Sequence, residues 1–105
     1  MALLQGSSYY LEVTIEEINN SNIENVAKGH FVLGDLEKFY APTESDDVLW
    51  DANKECFTIF VTQQETFELE QSVQWQFRVK FKNGQTDGTI PKSEYVYKSL
   101  KKVEL

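Results

Sequence analysis

This 105-residue sequence has very few of the residues that build metal sites and disulfides, with one cysteine and one histidine. A structural zinc site takes four ligands, and a disulfide takes two cysteines. Cys56 therefore cannot form an intramolecular disulfide, and its place in an apolar run predicts a buried, unreactive thiol. His30 has no second His or Cys nearby, which is typical of a surface histidine. The sequence predicts no metal site.

Recognisable catalytic motifs are also missing, since there is no glycine-rich phosphate loop and no Ser, His and Asp pattern of a hydrolase. The densest carboxylate run is Glu44, Asp46, Asp47 and Asp51. It lacks the central glycine and the terminal Glu of a calcium loop, and spacing alone does not show two carboxylates facing across a cleft. We interpret this run as a solvated loop. The sequence predicts no catalytic residue, no cofactor and no enzymatic activity.

Positive charge is scarce, because 17 acidic residues stand against 10 basic ones and the net charge is -7. Nucleic-acid binding needs clustered Lys and Arg, and along the sequence the only cluster is Lys98, Lys101 and Lys102. We therefore expect no direct nucleic-acid binding. A strongly negative surface favours solubility and can also imitate nucleic acid toward a basic partner.

Long apolar runs are missing as well. No segment approaches the roughly 20 apolar residues that cross a bilayer. Residues 1–6 have neither a charged start nor a long apolar region, so they do not resemble a secretory signal. The sequence predicts no membrane partner, and synthesis and folding in a cytoplasm.

What the sequence does contain is an unbroken alternation over residues 73–82. A β-strand places every second side chain on one face, whereas a helix would scatter them around its axis. We therefore predict a core strand with one polar face exposed to water. The residues of its apolar face are Val73, Trp75, Phe77, Val79 and Phe81, and those of its polar face are Gln74, Gln76, Arg78, Lys80 and Lys82.

The segment before this strand predicts a corner between two sheets. Residues 56–61 are apolar at five of six positions, which indicates a strand covered on both faces. Thr62 and Glu65 then form the sequence pattern of a capping box, in which each side chain bonds the other's backbone amide. This pattern predicts one short helical turn near residues 62–69.

Further strands are predicted on either side of this corner. Residues 9–16 alternate, and residues 29–40 predict either two short strands joined at Gly34-Asp35 or one strand with a bulge. Residues 48–50 predict a short strand or a hydrophobic plug. Leu3 and Leu4 are expected to pack on the sheet or on a neighbouring molecule.

The end of the chain predicts a hairpin. Asn83-Gly84 is the sequence signal of a type I′ turn, and Pro91 indicates that the returning residues 85–90 lie at a sheet edge or mark a kink. Residues 93–105 supply the last strand. Six or seven short strands and hardly any helix predict a single all-β domain, residues 1–105, folded as an antiparallel immunoglobulin-like β-sandwich. A small barrel is the alternative.

Two segments of this second half also carry a family resemblance. Residues 61–66 resemble a strand-to-helix corner, and residues 75–80, followed by a turn at Gly84 and a terminal strand ending at 100–103, resemble the strands that follow it. Together they look like a family of small β-sandwich proteins encoded in the virion-structure gene regions of tailed phages and prophages of Gram-positive bacteria. The shape is also similar to the N-terminal domain of upper baseplate proteins. The ending 103–105 departs from the family's usual ending.

The resemblance implies a bacteriophage virion structural protein that is tail, baseplate, neck or capsid-associated. It would act through protein–protein contacts with other virion proteins and copies of itself, and would be made in the bacterial host cytoplasm before entering the virion. No catalytic or binding residue is carried over. Two alternatives remain, a small acidic phage inhibitor of a host defence nuclease and a carbohydrate-binding sandwich using exposed Trp50 or Tyr residues.

Overall fold

The computed structural model describes residues 2–43, 47–103 and 105. Within this part, the chain forms nine strands, one α-helix and a single 3-10 turn, Ile23–Asn25. The strands are β1 Ala2–Leu4, β2 Tyr9–Val13, β3 Val26–Leu33, β4 Leu36–Tyr40, β5 Val48–Asp51, β6 Cys56–Val61, β7 Ser72–Phe81, β8 Thr86–Gly88 and β9 Lys92–Tyr97, and the helix is α1 Gln63–Phe67.

The strands form two sheets, and the all-β prediction is confirmed. The large sheet has the order β1-β9-β7-β3-β4, with β8 also paired to β7, and the small sheet has the order β2-β6-β5. Residues 72–75 of β7 pair with β9, whereas residues 78–80 pair with β8. The core lies between the two sheets and takes buried side chains from both.

Two details of the predicted fold are wrong. The sequence predicted six or seven strands, all antiparallel, but the described residues form nine, and β1 pairs with β9 in parallel. Leu3 explains the extra strand, because its side chain is 1% exposed and burying it aligns residues 2–4 along β9. Strands of three residues, such as β1 and β8, are too short to produce a readable alternation.

Strand β7 supplies the centre of the core. Phe77 is 0% exposed, and its ring stacks on Phe57 of the small sheet with centroids 4.8 Å apart. Val73 and Val79 of the same row are also buried. Trp75 and Phe81, predicted as core residues of this row, are half-buried and pack against the rim of the core.

The short helix α1 lies where the sequence predicted it and connects β6 of the small sheet to β7 of the large one. The Glu65 backbone amide donates to the Thr62 hydroxyl at 3.2 Å, and the Thr62 amide donates to the Glu65 carboxylate at 2.9 Å. The buried Thr66 hydroxyl donates to the Ser7 carbonyl at 2.9 Å. The bond to Ser7 ties the corner to the segment before β2.

Two turns of the large sheet, at Gly34 and at Asn83-Gly84, bear on the sequence predictions. Residues 29–40 form two strands rather than one bulged strand, and Gly34 turns between them with φ of 60°. The predicted type I′ turn at Asn83-Gly84 is wrong, because Gly84 has a positive φ and Asn83 does not. The Asn83 side chain instead accepts a hydrogen bond from the Gln85 amide at 2.9 Å, which stabilises a longer three-residue loop.

Candidate functional site

The outer face of the large sheet brings together cationic side chains that are far apart in the sequence. In the β3–β7 register, Lys28 lies opposite Lys80, and His30 lies opposite Arg78. The second pair extends across the sheet, with Phe39 of β4 beside His30 and Gly88 of β8 beside Arg78. Four basic side chains therefore occupy two neighbouring cross-strand pairs.

In the described part of the chain, the three strongest cations of this face have no carboxylate partner, although Asp87 of β8 lines the same groove. Within the described residues, Lys28, Arg78 and Lys80 make no ion pair. Glu37 is the one carboxylate that contacts the cluster directly, since its Oε1 lies 2.9 Å from His30 Nε2. Like charges placed opposite each other on neighbouring strands destabilise a sheet.

A groove of about 590 Å³ lies over these side chains. Phe39 is 57% exposed at one end, and its ring stacks on His30 with centroids 4.8 Å apart and an interplanar angle of 21°. Strand β8 closes the opposite end. We call this site the cationic groove; its principal side chains are Lys28, His30, Phe39, Arg78 and Lys80.

Gly88 shapes the wall beside Arg78. A Cβ atom at this position would lie 2.6 Å from the Phe77 carbonyl oxygen, which is backbone and cannot move aside cheaply. The position therefore takes no side chain, and the wall stays open next to the guanidinium. Thr89 holds the strand in place, since its hydroxyl accepts from the Phe77 amide at 3.1 Å and its carbonyl accepts from Gln76 Nε2 at 3.0 Å.

Sequence reasoning missed this site because it treated the polar face of β7 as a row exposed to water. A signal was present, since residues 74–82 place no acidic residue on that face although the chain's net charge is -7. The sequence does not show that Lys28 and His30 belong to the same cluster, because they become neighbours of Lys80 and Arg78 only through the pairing register of β3 and β7.

A second surface lies at the β1 edge of the large sheet. Leu3 points into the core, whereas Leu4, Tyr95 and Tyr97 are 45%, 46% and 56% exposed. Leu4 lies opposite Tyr97 in the register, and the two tyrosine rings meet edge to face at 4.7 Å. Within the described residues, the outer side of β1 pairs with no strand. We call Leu4, Tyr95 and Tyr97 the edge patch.

The segment after β9 also carries exposed apolar side chains. Residues 98–103 and 105 form no helix or strand, although the sequence predicted a strand through this stretch. Leu100 and Leu105 are fully exposed, and Val103 is 62% exposed. The Leu105 amide donates to Gln63 Oε1 at 3.0 Å, which brings the segment back to α1.

The residues predicted for the core row and for the helix cap have structural roles. The β7 row Val73, Phe77 and Val79 faces the core, and Thr62 and Glu65 cap α1. Glu65 also contacts the buried Lys38 ammonium, with Nζ to Oε2 at 2.8 Å. Burial acts to raise the pKa of Glu65, but the hydrogen bonds from Lys38 and from the Thr62 amide outweigh it and leave that pKa below its ordinary value.

The predicted carboxylate run falls partly outside the described residues, since Glu44 and Asp46 are not among them. Asp47 lies 4.0 Å from Lys38 Nζ. Asp51 Oδ1 accepts from the backbone amides of Asn53 and Lys54, so this carboxylate serves the turn before β6. Cys56 is buried, and burial raises the pKa of its thiol.

The described residues contain neither a candidate metal site nor a candidate membrane-spanning helix. No three His, Cys, Asp or Glu side chains there are grouped so that they could hold a metal ion. No helix formed by residues 2–43, 47–103 or 105 is long and apolar enough to cross a membrane. Comparison of the chain with protein-family models, with curated proteins and with solved structures finds no match.

Proposed function

We propose that this protein is a non-enzymatic structural component of a bacteriophage virion, associated with the tail, baseplate, neck or capsid. It works through protein–protein contacts with other virion proteins and with copies of itself. The immunoglobulin-like arrangement expected from the sequence and the resemblance to virion-region proteins both belong to this proposal.

The edge patch is the observation that carries the proposal. Single exposed apolar residues are ordinary on a soluble protein, but Leu4, Tyr95 and Tyr97 are adjacent in the sheet and share one surface. Tyrosine is enriched in protein–protein interfaces, where its ring packs and its hydroxyl bonds. The outer side of β1 pairs with no strand among the described residues, but the Leu4 amide donates to the Tyr9 hydroxyl and the Leu4 carbonyl accepts from the Ser7 amide. This edge therefore offers a neighbouring subunit its side chains more than its backbone groups.

Symmetric assembly suits such a surface, because a phage particle repeats each structural protein in many copies. The exposed Leu100, Val103 and Leu105 add apolar area that a neighbouring subunit could bury. The edge patch and this segment lie on strands and loops that need no rearrangement to be contacted.

Mass spectrometry of purified particles tests the proposal. The protein should be present at a fixed stoichiometric ratio to the major structural proteins. A double variant Tyr95→Ser/Tyr97→Ser should fold normally but enter particles poorly. Tyr10→Ser, at a side chain that is 73% exposed on the small sheet, is the matched control and should enter normally. Absence of the wild-type protein from particles would refute the proposal.

A second candidate, the acidic inhibitor of a host defence nuclease, is favoured by the uneven distribution of charge. Because Lys28, Arg78 and Lys80 share one face, the acidic excess belongs to the rest of the surface. Binding to a basic nucleic-acid channel should then weaken steeply with salt and compete with nucleic acid. A binding constant indifferent to both would rule this candidate out.

A further inference from the structure

We infer that the cationic groove binds a small organic anion that carries a carboxylate or phosphate group beside a flat ring. This inference uses no residue of the edge patch, so it is independent of the proposed virion role. It rests on the charge, size and shape of the groove.

The cross-strand pair of Lys28 and Lys80 is difficult to explain by folding alone. Acidic residues outnumber basic ones by 17 to 10, yet Lys28 lies opposite Lys80 and His30 lies opposite Arg78. No carboxylate pairs with Lys28, Arg78 or Lys80 among the described residues. Residues whose placement destabilises the fold are expected at functional sites. A bound anion would supply the counter-charge that these lysines and Arg78 lack.

The size of the groove favours a small ligand. Its volume of about 590 Å³ falls within the range of ordinary ligand pockets. From Phe39 to Gly88 it crosses three spacings between strands, or about 14 Å. A nucleic acid would extend beyond this area and meet the net charge of -7. A small anion responds mainly to the nearest cations, because salt screens charges beyond about 8 Å.

The shape of the groove indicates the two parts of the ligand. The exposed Phe39 ring, backed by His30, offers a flat apolar surface for a second ring. Arg78 lies in the same cross-strand row, beside the side-chain-free wall at Gly88. A guanidinium binds carboxylate and phosphate groups through two parallel hydrogen bonds. Lys28 and Lys80 then supply further positive charge in the neighbouring row.

Titration at low salt with phenyl phosphate, benzoate and inorganic phosphate, followed by backbone amide NMR shifts, tests the charge requirement. Phenyl phosphate and benzoate should shift residues 28–30, 78–80 and 86–89. The double variant Arg78→Gln/Lys80→Gln should weaken binding about tenfold or more. Lys98→Gln/Lys101→Gln removes the same charge elsewhere and should leave binding unchanged. Equal losses in both variants would reduce the effect to general electrostatics and overturn the inference.

The ring requirement has its own variant. Phe39→Ala should weaken phenyl phosphate about fivefold and leave inorganic phosphate unchanged. Phe60→Ala, at a partly exposed ring of the small sheet, is the control and should alter neither. Equal affinity of wild-type protein for phenyl phosphate and inorganic phosphate would overturn the ring requirement. The relative affinities of phenyl phosphate and benzoate show which acid group the groove prefers.

Two other occupants would also overturn the inference. If the amide shifts at residues 28–30 and 78–80 appear on concentrating the protein alone, and vanish in Arg78→Gln/Lys80→Gln, the groove is filled by a second copy. If a glutamate-rich peptide or a single-stranded oligonucleotide binds there more tightly than phenyl phosphate, the groove recognises a polymer.

Discussion

The outer faces of the two sheets differ sharply, although their inner faces are built alike. The large sheet presents Lys28, Arg78 and Lys80 to solvent, whereas the small sheet presents Tyr10 and Phe60, whose rings lie 4.8 Å apart in an antiparallel pair. Leu49 of β5, 56% exposed, extends this apolar surface. The outer face at β3 and β7 therefore shows positive charge, whereas the small sheet shows an apolar surface of two rings and a leucine.

This difference separates what folding requires from what it does not. The inner faces must exclude water, so both carry large apolar side chains, such as Phe57 and Phe77, in close contact. The outer faces have no such requirement, so their side chains can be selected for binding to a partner or ligand. Changes on the inner faces should therefore alter stability strongly, and changes on the outer faces should alter recognition.

The largest expected effect comes from Phe77→Ala. The side chain is 0% exposed and contacts rings of both sheets, so truncation leaves a cavity and should lower the free energy of unfolding by about 3–5 kcal/mol. Phe39→Ala removes the same atoms from an exposed position on the outer face and should cost less than about 1 kcal/mol. Urea unfolding of both variants measures the difference, and similar losses would contradict the assignment of inner and outer faces.

A smaller loss of stability is expected when the ion pair between Glu65 and the buried Lys38 is broken. Glu65→Gln keeps the capping box but removes the charge that faces the buried Lys38 ammonium. The loss should be about 1–3 kcal/mol, because the buried Lys38 ammonium keeps only the more distant Asp47 carboxylate, at 4.0 Å. Glu12→Gln breaks the exposed pair of Glu12 Oε1 with Lys54 Nζ, 2.6 Å apart, and should lower the free energy of unfolding much less, because water screens this pair.

The pH dependence of the Glu65→Gln effect gives an independent check. The folded-state pKa of Glu65 is lowered, so its stabilisation is complete above the ordinary carboxyl pKa and is lost as pH falls through the folded-state value. The difference between wild type and Glu65→Gln should therefore be constant above about pH 5 and shrink below about pH 4. In a Lys38→Met background the difference should also shrink. The ion pair would be contradicted if the difference did not shrink at low pH, or if it were as large in the Lys38→Met background as in the wild-type background.

The sequence predicted the inner faces better than the outer ones for a physical reason. Alternation along β7 identifies Phe77 and Val79 as inward-facing without any knowledge of the neighbouring strands. Charge clustering across a sheet depends instead on register, and Lys28 and Lys80 are neighbours only because β3 and β7 pair as they do. The three-residue strand β1 was missed since its single inward side chain, Leu3, shows no period.

The smallest expected effect is a gain in stability when one lysine of the Lys28–Lys80 pair is neutralised. Lys80→Gln removes one of two like charges that lie directly opposite each other, so the free energy of unfolding should rise by about 0.2–0.5 kcal/mol. The gain should vanish near 1 M salt, where the screening length falls to about 3 Å. Urea unfolding at low and high salt measures both.

Lys82→Gln is the matched control, because it makes the same change just beyond the end of β7 and outside the groove. Removing either lysine makes the net charge more negative, which by itself disfavours the compact state, so the informative quantity is the difference between the two variants. If Lys80→Gln is no more stable than Lys82→Gln, the paired lysines carry no folding penalty and the charge argument for the cationic groove loses its basis. If it is more stable, the fold retains a cation that folding alone would replace, as expected where function and stability conflict.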